Sequence, residues 1–248
     1  MNRLRVLLVC IPALFLMGQG YNVPFSPPAA AGGTTPLHVM NFDDAGCEDS
    51  TGTDTAESSI SGSATCDCDT EDPDCPLDGS LSLVMFLDTD EVWYEGDTPA
   101  RNTGIVTLDY TFLWSVDNGG TIDPVISLIE VGGASPNLSC RMRLSETVEY
   151  VDARTNGGAD GDNITIALNT KYWARLNYDI DADDCTLYVW SDTWGGTELA
   201  NSPSLGDSAS AGDVLGWEVD NTVGATIIFD DIAYCLDDLN DTTVQCGD

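Results

Sequence analysis

Basic residues are scarce in this chain. It has 8 lysines and arginines against 42 aspartates and glutamates in 248 residues, so its formal net charge is −34. Nucleic acids and anionic membranes are therefore disfavoured as partners, because their phosphates would be repelled. Polyanionic glycans would be repelled too, unless calcium bridged them. The apolar fraction of 42% is enough for a globular core, so the acidity does not predict disorder.

Histidine is almost absent, since His38 is the only one. A serine or cysteine nucleophile needs a positioned base, and His38 lies beside a Pro-rich segment without an evident partner. The cysteines lack the paired Cys-x-x-Cys spacing and the histidines that are typical of a zinc site. The sequence therefore predicts neither a nucleophilic triad nor a zinc centre.

Residues 1–20 have the pattern of a secretory signal. Arg3 and Arg5 precede an apolar run from Val6 to Met17, and small residues follow it. The run is too short for a comfortable transmembrane helix; a retained hydrophobic arm is the alternative. We expect a secreted or cell-surface protein, or alternatively a virion component, with no direct membrane insertion once the leader is removed.

No segment shows a sustained helical period, whereas short alternating runs recur between Gly-, Asn- and Pro-containing turns. This pattern predicts an all-β, two-sheet antiparallel sandwich or a closed barrel. We assign residues 21–36 to a Pro/Ala/Gly-rich linker, 37–238 to the sandwich and 239–248 to an acidic tail. Residues 49–78 are polar and cysteine-rich, and we expect a long loop pinned by disulfides. The predicted strands are 37–42, 81–87, 105–114, 125–131, 138–144, 148–154, 164–168, 171–178, 186–190, 214–219 and 225–234.

The segment from Lys171 to Asp192 is a predicted β-hairpin with an Asp-rich turn. Because successive side chains of a strand point to opposite faces, the aliphatic residues of both arms can share one core. We expect Tyr172, Ala174, Leu176, Tyr178, Leu187 and Val189 on that inner face. The other face carries Trp173, Arg175, Asn177, Tyr188 and Trp190. Aromatic rings with a guanidinium and an amide suit a sugar ring, although another strand or loop could cover this face instead.

Two motifs resemble concanavalin A-like (laminin-G-like) jelly-roll domains. The first is the arm that ends in Tyr178-Asp179, followed by the acidic turn and by Thr186-Leu187-Tyr188-Val189-Trp190. The second is Ile228-Phe229-Asp230-Asp231-Ile232, which is similar to the closing strand of such domains. The resemblance implies a lectin-like sandwich for glycan binding or adhesion, and sometimes for glycan cleavage.

Eight cysteines follow the leader, an even number that predicts four disulfides in an oxidising compartment. The first and last strands pair in the resembled fold, which implies a bridge between Cys47 and Cys235. Cys140 and Cys185 both begin central strands, so we expect them to pair as well. Cys66, Cys68, Cys75 and Cys246 would then pair among themselves.

The same pairing of first and last strands would bring Asp43 and Asp44 close to Asp230 and Asp231. Calcium prefers carboxylate and carbonyl oxygens, so we expect a structural calcium site there. Acidic residues at 67–74 and in the hairpin turn at 179–184 are further candidates. The turn is not an EF-hand, because it lacks the central glycine and has Trp190 in the twelfth position.

One carboxylate pair, Glu91 and Glu95, remains as a catalytic candidate. Laminarinase-like members of the resembled superfamily carry Glu-x-Asp-x-x-Glu on one strand, whereas DEVWYE at 90–95 lacks the middle Asp. Two carboxylates can nevertheless flank a glycosidic bond. We expect a non-catalytic domain that binds a glycan or a glycosylated surface. The alternatives are a structural surface or virion (decoration or fibre) protein within a larger assembly, and a glycan-degrading enzyme.

Overall fold

The computed structural model describes residues 38–40, 50–52, 57–61, 65–66, 82–85, 90–95, 103–116, 122–130, 138–145, 149–155, 159–206, 214–221, 226–235 and 246. The leader, the linker and nearly all of the acidic tail lie outside these ranges. Within them, all regular structure is β-strand. None of the described ranges contains a helix long and apolar enough to cross a membrane.

The described ranges contain sixteen strands. They are β1 (His38–Met40), β2 (Ser50–Gly52), β3 (Glu57–Ser61), β4 (Thr65–Cys66), β5 (Leu83–Met85), β6 (Asp90–Glu95), β7 (Ile105–Val116), β8 (Ile122–Glu130), β9 (Leu138–Ser145), β10 (Tyr150–Thr155), β11 (Ile164–Thr165), β12 (Lys171–Asp179), β13 (Asp184–Trp190), β14 (Glu198–Leu205), β15 (Val214–Asn221) and β16 (Thr226–Cys235).

The strands form two antiparallel sheets. The front sheet has nine strands in the order β14-β13-β12-β7-β16-β1-β2, with β5 also paired to β16 and β4 to β5. The back sheet has seven strands in the order β11-β10-β9-β8-β15-β6-β3. This confirms the predicted all-β, two-sheet sandwich.

The apolar core lies between the two sheets and is built by alternation along each strand. The front sheet contributes Tyr110, Phe112 and Phe229, and the back sheet contributes Met142 and Val151, all of them buried in one cluster. The strands that carry these residues thus turn one apolar side inward, as period-two alternation requires. The burial predicted for the hairpin is also confirmed: Tyr172, Leu176, Tyr178, Leu187 and Val189 are all in this core.

The β13–β14 side of the front sheet is tied to the back sheet in two places. Cys140 of β9 forms a disulfide with Cys185 of β13, with Cα atoms 5.4 Å apart, as predicted. At the edge of the sandwich, the hydroxyl oxygens of Ser202 and Ser204 on β14 accept hydrogen bonds from the backbone N–H groups of Ala153 and Thr155, both at 3.0 Å. Covalent and polar links therefore join the sheets along the β13–β14 side.

The predicted Cys47–Cys235 bridge is wrong, and so is the pairing of Cys246 with the N-terminal cysteines. β1 does pair with β16, with His38 opposite Tyr234. However, the chain after β16 returns to the same end of the sheet, and Cys246 forms a disulfide with Cys235. The side chains of the other four cysteines (Cys47, Cys66, Cys68 and Cys75) are outside what the structure describes, so their pairing stays a prediction.

Several polar strands differ from the expectation for their segments. The predicted loop at 49–78 contains β2, β3 and β4, and neither β6 nor β14 was among the strands predicted above. β2, β3 and β14 each end one of the sheet orders given above, where a strand pairs on one side only. Short or polar sequences suit such edges, and an edge strand also tolerates Pro203 in β14.

We expect the inter-sheet disulfide to stabilise the fold more than the C-terminal one. In the chain-entropy model, a bridge across 45 residues stabilises by about 4 kcal/mol and one across 11 residues by about 3 kcal/mol. The double variants Cys140→Ala/Cys185→Ala and Cys235→Ala/Cys246→Ala, compared by urea unfolding, measure both. A larger loss from the second pair would contradict this ranking.

Candidate functional site

The five residues predicted as a ligand-binding face lie together on the outer face of the front sheet. β12 and β13 are paired so that Trp173 is opposite Trp190 and Arg175 is opposite Tyr188. Asn177 follows on the same side of β12, opposite Thr186. The alternation that buries the inner face thus gathers these side chains on the other.

Their exposure is uneven. Trp173, Asn177 and Tyr188 are half-buried, whereas Arg175 has 0% and Trp190 has 1% of its surface exposed. Arg175 and Trp190 were expected on an exposed ligand-binding face, whereas the structure buries both. Two contacts explain the difference: an ion pair within the sheet and a loop that folds back over it.

The ion pair joins Arg175 to Asp109 on the neighbouring strand β7. Arg175 Nε donates to Asp109 Oδ1 at 2.6 Å and Nη2 donates to Asp109 Oδ2 at 2.7 Å, and both side chains are fully buried. The backbone N–H of Cys246 donates to the same Oδ2 at 2.7 Å. Burial, and second the charge of Asp109, hold the pKa of Tyr110 well above its usual value. The Arg175 guanidinium, which was predicted to contact a ligand, thus binds the carboxylate of Asp109 inside the protein.

The loop that folds back comprises residues 191–197, here called the covering loop, and it carries Trp194. The ring of Trp194 lies 5.5 Å from that of Trp190 and 5.9 Å from the guanidinium carbon of Arg175. Trp190 in turn stacks on Tyr188, with ring centroids 6.2 Å apart. Trp194 therefore covers both buried residues, and it was missing from the residues predicted from sequence.

Asp192 holds the covering loop in shape. Its Oδ1 accepts hydrogen bonds from the N–H of Thr193 at 3.1 Å and of Thr197 at 2.7 Å, and its Oδ2 accepts from the Thr197 hydroxyl at 3.1 Å. Gly195 has a φ of 63°, which glycine adopts without strain. The backbone hydrogen bond from Thr197 is the main reason that the pKa of Asp192 is lowered, because it favours the carboxylate.

The result is an aromatic shelf, defined by the half-buried side chains of Trp173, Tyr188 and Trp194. The ammonium of Lys171 lies 4.9 Å from the ring of Trp173. Asn201 of β14 is opposite Tyr188 and is exposed, so it adds a polar group at the edge. Rings with a polar rim can stack on the apolar face of a sugar and bind its hydroxyls.

The acidic residues of the hairpin turn have partners within the protein. Asp183 accepts a hydrogen bond from the Tyr178 hydroxyl at 2.8 Å, and Asp181 Oδ2 accepts one from the N–H of Gly104 at 3.0 Å. Asp179 Oδ1 accepts from the N–H of Asp181 at 3.0 Å. These carboxylates therefore shape the turn and anchor it to the start of β7.

The predicted calcium ligands are only partly described. Asp230 is buried and accepts a hydrogen bond from the Ser82 hydroxyl at 2.6 Å, while Asp231 occupies a bulge with a φ of 51°. Asp43 and Asp44 lie outside the described residues, as do the acids at 67–74. Within the described ranges, no group of three or more His, Cys, Asp or Glu side chains could hold a metal ion. Calcium at this position stays a prediction.

Glu91 and Glu95 lie on β6, which pairs residue for residue with β15 and with β3. On such a regular strand, positions four apart are separated by about 13 Å. That distance is between Cα atoms, and the side chains of β6 are outside what the structure describes, so the carboxylate pair stays a prediction. His38 lies on β1, opposite Tyr234, and its side chain is outside what the structure describes.

No protein-family model and no curated protein matches the chain. Among solved structures, a mutant Trypanosoma rangeli sialidase with trans-sialidase activity aligns with a TM-score of 0.56 at 12% identity, over 85% of this chain and 32% of its own. The same sialidase with a difluorinated nononic acid aligns with a TM-score of 0.54 at 11% identity, over 90% and 34%. The binding domain of botulinum neurotoxin serotype D aligns with a TM-score of 0.55 at 9% identity, over 82% and 48%.

These likenesses show the fold alone. The chain spans 32–34% of the two sialidase structures and 48% of the neurotoxin domain, at identities of 9–12%. They agree with an antiparallel β-sandwich, which the strand order already shows. The functional argument therefore depends on the geometry of this chain's own residues.

We expect the Arg175–Asp109 pair to be strongly coupled in stability. Arg175→Met removes the cationic partner of the buried Asp109 carboxylate and should cost about 3–5 kcal/mol. The double variant Arg175→Met/Asp109→Leu should recover most of this loss, apart from about 1–3 kcal/mol for the Cys246 N–H that then lacks an acceptor. Arg154→Met is the matched control, since its partner Asp160 is exposed, and it should cost under about 1 kcal/mol. Additive single losses in urea unfolding would contradict the coupling.

Asp192→Ala should loosen the covering loop and expose Trp194. Tryptophan fluorescence should then shift to the red while the far-UV spectrum is unchanged. Because the folded pKa of Asp192 is lowered, its contribution to stability is complete above the unfolded value of about 3.9 and is lost as the pH falls through the lower folded value. Wild-type protein at that low pH should therefore show part of the same spectral shift. Unchanged fluorescence in Asp192→Ala would exclude this role.

Proposed function

We propose that the protein is a concanavalin A-like domain that binds carbohydrate without cleaving it, through the aromatic shelf. The observation that carries the proposal is the grouping of three half-buried aromatic rings, from two strands and a loop, around a buried arginine. Half-buried rings gathered on one face can give a sugar ring flat apolar contact. Glycans or glycosylated surfaces are accordingly the proposed partners.

The shelf is pre-organised. Trp190 stacks on Tyr188 and contacts Trp194, while Arg175 is fixed by two hydrogen bonds to Asp109. The disulfide from Cys185 ties β13, which carries two of these aromatic residues, to the back sheet. A rigid site loses less conformational entropy on binding, and this favours affinity for weakly contacting ligands such as sugars.

A neutral saccharide is the ligand class that fits best. The side chains around the shelf include the exposed amide of Asn201 and the exposed carboxylate of Glu198, which accepts a hydrogen bond from it at 3.3 Å. These groups match sugar hydroxyls, and the net charge of −34 repels polyanionic glycans. The Cys140–Cys185 and Cys235–Cys246 disulfides fit an extracellular protein. A role as a display platform in a surface layer or virion stays a prediction.

The test separates contact residues from supporting ones. Trp173→Ala and Trp194→Ala should each lower the affinity for the tightest neutral oligosaccharide on an array at least tenfold, which is about 1.4 kcal/mol. Trp173→Ala should change the melting temperature little, whereas Trp194→Ala should also lower it, because Trp194 covers Trp190 and Arg175. Trp190→Ala should instead lower stability by about 3–5 kcal/mol, because Trp190 is buried. Titration calorimetry and thermal unfolding measure the two effects.

Tyr150→Ala is the matched control, since Tyr150 is also a half-buried aromatic residue but belongs to the back sheet. Its affinity should equal that of the wild type. Affinity that survives both Trp173→Ala and Trp194→Ala, or falls equally in Tyr150→Ala, would overturn the shelf as the site. Hydrolysis of the bound oligosaccharide would overturn the non-catalytic part of the proposal.

A further inference from the structure

Three of the chain's eight lysines and arginines lie together on the outer face of the back sheet. Arg141 of β9 is directly opposite Arg154 of β10, and Arg143 is opposite Asp152. The alternate residues of both strands, such as Met142 and Ala153, are in the core, so the charged side chains face outward. This clustering stands out in a protein with so few cations.

Two aspartates neutralise part of the cluster. Arg143 donates two hydrogen bonds to Asp152, from Nε to Oδ1 at 2.8 Å and from Nη2 to Oδ2. Its Nη1 also lies 3.0 Å from Asp160 Oδ1, and Arg154 Nη1 lies 3.2 Å from that same oxygen. Three cations thus share two carboxylates, both of which are taken by Arg143 and Arg154.

Arg141 carries the remaining positive charge. Its Nε, like that of Arg154, is buried without a hydrogen-bond partner in the part of the chain that the structure describes. Burial, followed by the charges of Arg154 and Arg143, lowers the pKa of Arg141. A buried donor without an acceptor costs about 1–3 kcal/mol, more for a charged group. No carboxylate in the described ranges pairs with Arg141, so its charge is the one left without an ion-pair partner there.

We propose that Arg141 and Arg154 bind one carboxylate group of a ligand on the outer face of the back sheet. A planar guanidinium matches a carboxylate with two parallel hydrogen bonds. Both arginines are partly exposed, so a ligand can reach them. The excess charge of the cluster is +1, from three arginines and two aspartates, and this matches a single negative charge.

A phosphate dianion fits this cluster less well. Its second charge would meet Asp152 and Asp160 at short range and the net charge of −34 at long range. The carboxylate can belong to an acidic sugar or to a simple organic acid. The inference is independent of the aromatic shelf, which lies on the other sheet.

The probes are glucuronate, acetate, glucose and inorganic phosphate, titrated by ligand-observed NMR into the full chain. We expect glucuronate and acetate to bind, and glucose and phosphate to bind at least tenfold more weakly. Tighter binding of glucuronate than of acetate identifies an acidic sugar as the source, and equal binding identifies the carboxylate alone. Both results support the site. Phosphate binding as tight as acetate binding would overturn the choice of carboxylate.

Arg141→Gln should weaken glucuronate binding at least tenfold, and Arg154→Gln is the second variant in case the first unfolds. Lys171→Gln, on the front sheet, changes the net charge equally and serves as the control; the glucuronate affinity of this variant should equal that of the wild type. Arg141→Lys should not restore affinity, since an ammonium lacks the planar fork. Glucuronate affinity that is unchanged in both Arg141→Gln and Arg154→Gln, or no detectable wild-type binding, would overturn the proposal. Trp173→Ala should leave glucuronate binding unchanged. The test of the arginine site is therefore independent of whether the aromatic shelf binds a saccharide.

Discussion

The buried ion pair between Arg175 and Asp109 determines which groups must cover the outer face of the front sheet. Two charges on the outer face of a sheet are stable without water only if neighbouring groups complete their hydrogen bonds and cover them. The covering loop brings Trp194 over Arg175, and the backbone of Cys246 donates to Asp109. The inner and outer faces of this sheet are therefore both packed, one by apolar side chains and the other around a polar centre.

The arginines on the two sheets differ in whether a carboxylate pairs with them. On the front sheet, Arg175 is matched to Asp109 and carries no excess charge. On the back sheet, Arg141 has a buried Nε without an acceptor in the described ranges, because the nearby aspartates serve Arg143 and Arg154. One arginine thus supports the architecture while the other is available for an external anion. Sequence position alone does not separate these roles, since both lie in alternating strands.

The sequence was sufficient to predict what depends on local alternation. The inner face of the hairpin and the β-sandwich class follow from the period-two spacing of residues such as Leu176 and Leu187. Whether the side chains of the outer face are buried depends on partners that are distant in sequence. Asp109, for example, is 66 residues from Arg175. The position of Trp194 could not be predicted, because the sequence of a short loop does not show onto which neighbouring residues the loop folds. The pairing of Cys246 with Cys235 has no signal in the local sequence pattern.

The pairing of β1 with β16 places the start and the end of the sandwich side by side. His38 is opposite Tyr234, and Cys246 returns to within 5.9 Å of Cys235 between Cα atoms. A domain whose entry and exit are neighbours can be inserted into a surface loop of a carrier protein without stretching either chain. The sandwich is thus suited to modular engineering, in which one scaffold displays many copies along its length.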